Sequence, residues 1–253
     1  MYSPRSSSTS LPTLCDLSFL FVPEVLSDQS DLYNTGASPS IPRGCDNFGV
    51  AFGPSRLVSF PAMTQRIVML RHGATQWSLD GKHTGRSDIP LVDLGCRQAA
   101  AAGQLLRGMR FAQVLMSPLQ RASETCALAG FDGEPDPDLM EWDYGSYEGR
   151  STPDIRVERP GWSLWTDGVV DGEAAADVGR RVDRVIERAR QADGDTLCVA
   201  HGHVLRVLTA RWVGLPPVAG RLWWLGTATV SILGWERETP VVTLWNQSPA
   251  GVE

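Results

Sequence analysis

The chain has 253 residues, 42% of them hydrophobic, and a formal net charge of −6. It can bury one sizeable core, and its acidic balance lacks the basic field of a nucleic-acid binder. The five scattered cysteines (Cys15, Cys45, Cys96, Cys126 and Cys198) form no CxxC pair, which argues against a disulfide scaffold or a common zinc site, and no apolar run is long enough to span a bilayer.

Residues 1–62 are rich in Ser and Pro, contain no lysine and show no sustained period, so they read as a disordered leader. Met63 directly precedes the first strong apolar run and is the expected natural start, with one domain over 63–253. In that domain "RIVML" predicts a strand, and "DLGCRQAAAAGQLL" (93–106) a helix with Asp93 available as its cap. "AQVLMS" (112–117) reads as a second strand, followed by a helix over 118–129 with Pro118 in its first turn. Val178, Val182, Val185 and Ala189 make one apolar stripe on a charged helix, whose stretch "GRRVDRVIERAR" reads as a solvated face. "TLCVA" (196–200) is a third buried strand, followed by a helix that ends at Gly214. "ATVSILGW" and "PVVTLW" close the chain as strands. This alternation predicts a three-layer α/β/α sandwich with a mostly parallel sheet.

Ligands bind such sheets where strands give way to helices. Three junctions carry the chemistry: "LRHG" (70–73), "MSPLQRASET" (116–125) and "VAHGH" (199–203). They would gather Arg71, His72, Arg121 and His201 around one hollow suited to a phosphate dianion, which an arginine fork binds through paired N–H groups. The helix after Ser117 would add backbone N–H donors. A neutral imidazole held by one nitrogen can attack phosphorus with the other, so Arg71 grips the phosphate while His72 attacks it, and Gly73 lets the backbone pass close to the ring. Departure of the alkoxide needs an acid, and "DLMEWDYGSYEG" (138–149) offers Glu141, Asp143 and Glu148. His203 either faces the substrate or bonds a backbone carbonyl. His83 reads as a rim or structural residue, and Trp77, Trp142, Trp162 and Trp165 are candidates for an apolar wall over a substrate.

"LRHGATQW", "SPLQRASET", "LMEWDYGSYEG" and "AHGH", in this order, resemble the motifs of the histidine phosphatase superfamily, in its phosphoglycerate-mutase-like branch. The resemblance covers roughly residues 65–247 and implies a phosphoglycerate-mutase-like fold. It implies that His72 is phosphorylated in an intermediate, that Arg71, Arg121 and His201 bind the transferring phosphoryl group, and that Glu141 is the acid and then the base. Thr84 and Gly85 match the stretch whose backbone meets the substrate phosphate, and Ser78 stands where many members carry Asn. His203 joins Ser78, Thr84 and Gly85 as a candidate substrate contact. Relatives are often dimers, although no interface is legible in this sequence.

Mutases of the family carry an Arg directly after the catalytic Glu, where this chain has Trp142, and a longer basic insertion before the second histidine. Their absence favours hydrolysis. "EWDYGSYEG", "GWSLWTDG" and "DGE" look closest to the subgroup of acid phosphatases and sedoheptulose-bisphosphatase-like enzymes. The expectation is a cytoplasmic hydrolase of a small phosphomonoester such as a sugar phosphate. No carboxylate cluster of metal-ligand spacing lies among the motifs, so the expected mechanism calls for no metal and no cofactor. The alternatives are a cofactor-dependent phosphoglycerate-type mutase and a non-catalytic module that binds phosphorylated ligands.

Overall fold

The structure, a computed structural model, describes residues 65–252; the expected leader and the proposed start at Met63 lie outside the described residues. In chain order the strands are β1 (Ile67–Arg71), β2 (Gln113–Met116), β3 (Glu134–Pro135), β4 (Thr196–Ala200), β5 (Val230–Glu236) and β6 (Thr239–Gln247). The helices are α1 (Gln76–Leu79), α2 (Asp93–Leu105), α3 (Gln120–Leu128), α4 (Thr152–Glu158), α5 (Leu164–Asp167), α6 (Ala175–Gln191) and α7 (Gly202–Trp212). The sheet order is β3-β2-β4-β1-β5-β6, with β1 to β4 parallel, β5 antiparallel to β1 and β6 antiparallel to β5.

The continuous apolar runs of β1 and β4 are buried on both faces, as a sheet covered on both sides requires. Ile67, Met69, Cys198 and Ala200 pack with α6 and α7, while Val68, Leu70, Leu197 and Val199 pack with residues of α2 and α3. The alternation along each strand therefore builds the three layers. The predicted stripe Val178, Val182, Val185 and Ala189 is buried on α6. Arg181 departs from the solvated-face reading, because it turns inward to Glu173.

Two local expectations shift, and one strand is added. Val92 caps α2, placing Asp93 at the first helical position, where its charge still suits the helix dipole. Leu119 caps α3, so Pro118 lies before the helix rather than in its first turn. The two-residue β3, held by pairing with β2, is too short to show a period in sequence. Among the described residues no helix is long and apolar enough to cross a membrane.

Candidate active site

Register brings the three junctions to one level. Arg71 pairs with Ala200 and Met116 with Val199, and the ladder continues through His72 N–H to Ala200 O and Ser117 N–H to Val199 O, both 2.9 Å. His72, His201 and Ser117 therefore emerge side by side at the C-terminal ends of β1, β4 and β2. The rings of His72 and His201 have centroids 5.1 Å apart.

His72 is 4% exposed, and its Nδ1 lies 2.7 Å from the Gly73 carbonyl. A carbonyl only accepts, so Nδ1 carries the proton and Nε2 keeps a free lone pair. Burial, then the charges of Arg71 and Arg121, hold this imidazole well below the ordinary histidine range and keep it neutral. Gly73 is required for a reason that differs from the sequence expectation: a Cβ there would run into the Gly95 carbonyl of α2. Arg71 reaches the same place. Its Nη1 donates to the Leu225 carbonyl, while its buried Nε has no acceptor among the described residues. A buried guanidinium donor without a partner is costly unless a ligand supplies the acceptor.

Of the three candidate carboxyl groups, Glu141 alone lines the cavity that Arg71 and His72 face. It is 4% exposed and sits at the N-terminus of α7, accepting from the N–H groups of Trp142 and Val204 on Oε1 and of His203 on Oε2, at 2.9–3.0 Å. Asp143 accepts from Gly145 N–H and lies 3.5 Å from Arg86. Glu148 holds the N–H groups of Gly85 and Ser87 at 2.8 and 3.1 Å. The segment bearing Glu141 is stapled from behind. Arg181 donates to the Asp138 and Met140 carbonyls and pairs with Glu173, whose own carboxylate accepts from Asp143 N–H.

Arg121 and His201 lie behind the cavity rather than on it. Both are 0% exposed. Arg121 donates to the carbonyls of Thr84, Gly85 and Ser87 and, through Nε, to His201 Nδ1 at 3.0 Å, so four of its five N–H groups meet protein acceptors. The donor at Nδ1 fixes the His201 proton on Nε2, which points to Ser117 Oγ at 2.7 Å. Burial and the adjacent Arg121 depress this histidine as well.

The remaining sequence candidates divide. Ser78, Thr84 and His203 line the cavity, whereas Gly85 is buried with its N–H held by Glu148. Ser78 Oγ also closes a capping box with Thr75. Among the described residues the His203 ring bonds no carbonyl; its Nδ1 meets the Tyr144 hydroxyl at 2.6 Å. Burial, reinforced by the Glu141 charge, pushes that phenol well above its usual range, so Tyr144 stays protonated. His83 does lie on the cavity wall, pushed down to about 4 by burial. The N-terminus of α3 is not free, because Asp88 accepts from Gln120 N–H. The proposed tryptophan wall does not line the cavity: Trp142 and Trp162 are buried in the core, Trp77 and Trp165 are half-buried outside its lining, and the one tryptophan on it is the exposed Trp224. Tyr144, Lys82, Arg206 and Trp224 are cavity residues that the sequence reading did not select. Arg206 had a legible signal, one helical turn from Gly202.

A neutral histidine with a free nitrogen, an arginine donor awaiting an acceptor and a carboxyl group on one cavity of about 450 Å³ make a phosphoryl-transfer site at the end of an α/β sheet. Residues 67–248 match the histidine phosphatase superfamily (branch 1), and the chain belongs to it. It is similar to an acid phosphatase of Mycobacterium tuberculosis, at 43% identity over 68% of this chain and 87% of that one. Similarity to a sedoheptulose 1,7-bisphosphatase of Saccharomyces cerevisiae is 35%, over 61% of this chain and 70% of the relative. The solved structure of an open reading frame product of Mycobacterium tuberculosis superposes with a TM-score of 0.71 and 39% identity, covering 73% of this chain and 98% of that one. The fold is that of the histidine phosphatase superfamily, and the chain is a phosphatase.

Proposed function

We propose that the protein hydrolyses phosphomonoesters of small metabolites, sugar phosphates among them, through a phosphohistidine on His72. The observation that carries this reading is the His72 tautomer. Nδ1–H is tied to the Gly73 carbonyl, and Nε2 is left as a neutral nucleophile beside the unpartnered Nε of Arg71. In the first step Nε2 attacks phosphorus, the P–O bond to the alcohol breaks, and Glu141 delivers a proton to the leaving oxygen. In the second, Glu141 takes a proton from water, which attacks the phosphohistidine and returns the imidazole and free phosphate. Arg71 meets the non-bridging oxygens directly. Arg121 contributes its charge and its one remaining N–H, and His201 keeps Arg121 in place. Positive charge for the transition state thus comes from side chains, and the reaction is proposed to be independent of metal. The sugar-phosphate class is supported by likeness to the yeast relative and by a cavity large enough for a metabolite.

The test is phosphate release, with EDTA present, from p-nitrophenyl phosphate, 3-phosphoglycerate and sugar mono- and bisphosphates. Wild type should release phosphate and form an acid-labile phosphoenzyme. His72→Ala should form none and lose about 10⁴-fold or more in rate. Undiminished activity in His72→Ala, or a strict need for a divalent cation, would remove the mechanism.

A further inference from the structure

Burial grades the lining of the cavity that holds His72. His72, Glu141, Tyr144 and Leu225 are buried and make its floor, whereas Gly81 and Trp224 are its exposed lining residues and stand at its mouth. The phosphoryl group belongs at the floor, beside His72 and Arg71, so the alcohol portion of a substrate extends toward the mouth. Gly81 has no side chain to offer there. Trp224, 72% exposed, is the side chain that the alcohol portion meets on its way out.

An indole left open in this way is an exception in the chain. The other eight of its nine tryptophans each set their ring near another aromatic ring or a cation, Trp77 near Lys82 and Trp223 near Trp245 among them. Among the described residues the Trp224 ring meets neither, and its Nε1–H has no acceptor. Its backbone, by contrast, is pinned. The Trp224 carbonyl accepts from Trp245 Nε1 at 2.8 Å, the Leu225 carbonyl accepts from Arg71, and Gly226 N–H donates to Asn246 Oδ1 at 2.8 Å. The far edge of the indole lies close to Gly226, where a Cβ would stand 3.3 Å from Cη2, so a larger residue there would crowd the ring. A flat apolar surface on a pinned backbone loses little freedom when a ligand covers it. It suits an alcohol portion that is itself a ring, whose C–H groups pack on the indole while a hydroxyl accepts from Nε1.

We propose that Trp224 is a platform for the alcohol portion of the substrate, and that the preferred substrates are phosphomonoesters whose alcohol is a closed sugar ring and not an open chain. The proposal rests on the phosphatase reading of His72 and adds the shape that the mouth selects. Trp224 acts on specificity; it has no part in bond making.

The experiment compares kcat/KM of wild type, Trp224→Ala and Trp224→Phe on glucose 6-phosphate and on sorbitol 6-phosphate, its open-chain counterpart, with p-nitrophenyl phosphate alongside. The two sugar compounds carry the same charge and release a primary alcohol from the same carbon, so the ratio of their kcat/KM values reports the ring. Wild type should favour glucose 6-phosphate by about 3- to 10-fold, chiefly through KM. Trp224→Ala should bring that ratio to about one, by loss on the ring compound, and Trp224→Phe should keep part of it. Both rates come from one preparation, so any loss of folded protein cancels in the ratio. A wild-type ratio of one, a ratio that survives Trp224→Ala, or an equal loss on both sugar compounds would overturn the platform. An equal loss accompanied by a change in elution volume would assign Trp224 to an interface with a second copy of the chain instead. Release from p-nitrophenyl phosphate without preference between the sugars strikes the platform alone, whereas no release from any of the three strikes the His72 reading.

Discussion

The cavity has two ends built on opposite principles. At the strand ends, His201 has both ring nitrogens answered by protein, Arg121 has four of five N–H groups answered, and both are fully buried. Elsewhere on the cavity wall, Lys82 is about one-third exposed, Trp224 is 72% exposed, and Arg206 Nη1 meets no acceptor among the described residues. The closed end has one geometry, preset before a ligand arrives, as charge stabilisation in a transition state demands. The open end keeps a donor, Arg206 Nη1, without an acceptor among the described residues. Both kinds of group sit on one helix, α7, with His201 capping it and Arg206 one turn in.

The sharpest way to break this division is at Arg121. It joins the loop 84–87 to His201, and its charge is among those that keep His72 neutral. Arg121→Ala leaves three carbonyls and an imidazole nitrogen without their donor. Unfolding stability should fall by about 3 kcal/mol, measured by urea denaturation. Turnover should fall about 10²- to 10⁴-fold. Arg121→Lys should recover little of either, because an ammonium cannot reach the separate acceptors that a planar fork reaches. Wild-type stability in Arg121→Ala would show that the closed end does not depend on this hub.

A smaller effect tests whether the closed end extends to Glu141. The buried Arg181–Glu173 pair touches no substrate; it holds the carbonyls and N–H on either side of the acid. Glu173→Gln loosens that staple. The expected loss is about tenfold in kcat with KM little changed, and it should be larger for alkyl phosphates than for p-nitrophenyl phosphate, whose leaving group needs no proton. A uniform loss over both substrate types would assign the pair to general stability instead.

Much of the closed end was legible from sequence, because each of its parts follows a buried strand directly. "IVMLRHG" and "TLCVAHGH" announce Arg71, His72 and His201 by placing polar groups where an apolar run stops. The fold followed from the same runs, since strands apolar on both faces need helices on both sides. What Arg121 does was not legible. Its acceptors are carbonyls 34 to 37 residues away, in a loop without a period of its own. Residue type could not tell Glu141 from Asp143 and Glu148; only the likeness of its segment to a family motif singled it out, and its carboxyl group is the one that meets the N-terminus of α7. The tryptophans misled because a large apolar ring suits a core and a ligand wall equally, and Trp162 sits under His83 and Tyr147 in the core. Arg206 was hidden by its helix, read for its buried face rather than for the turn that looks into the cavity.

Acid pH should sharpen the comparison from another side. All four histidines of the chain, His72, His83, His201 and His203, stand at this cavity or directly behind it, and burial holds each below its ordinary value. An unfolded histidine binds its proton near pH 6.5, whereas these do so only at lower pH, in His83 at about 4. Between those values the unfolded chain carries more protons than the folded one, so unfolding free energy falls as pH falls. The melting midpoint should therefore drop by several degrees from pH 7 to pH 5. The initial rate, measured cold and briefly, should not be lost over the same interval through protonation of His72. His83→Gln removes one of the four groups without touching the strand ends, and it should flatten the fall in melting midpoint by about a quarter. A midpoint that holds steady or rises on acidification would mean that the imidazoles are not kept neutral by the fold. The free lone pair on His72 Nε2, on which the nucleophile depends, would then have to be explained by the bound substrate and not by the protein alone.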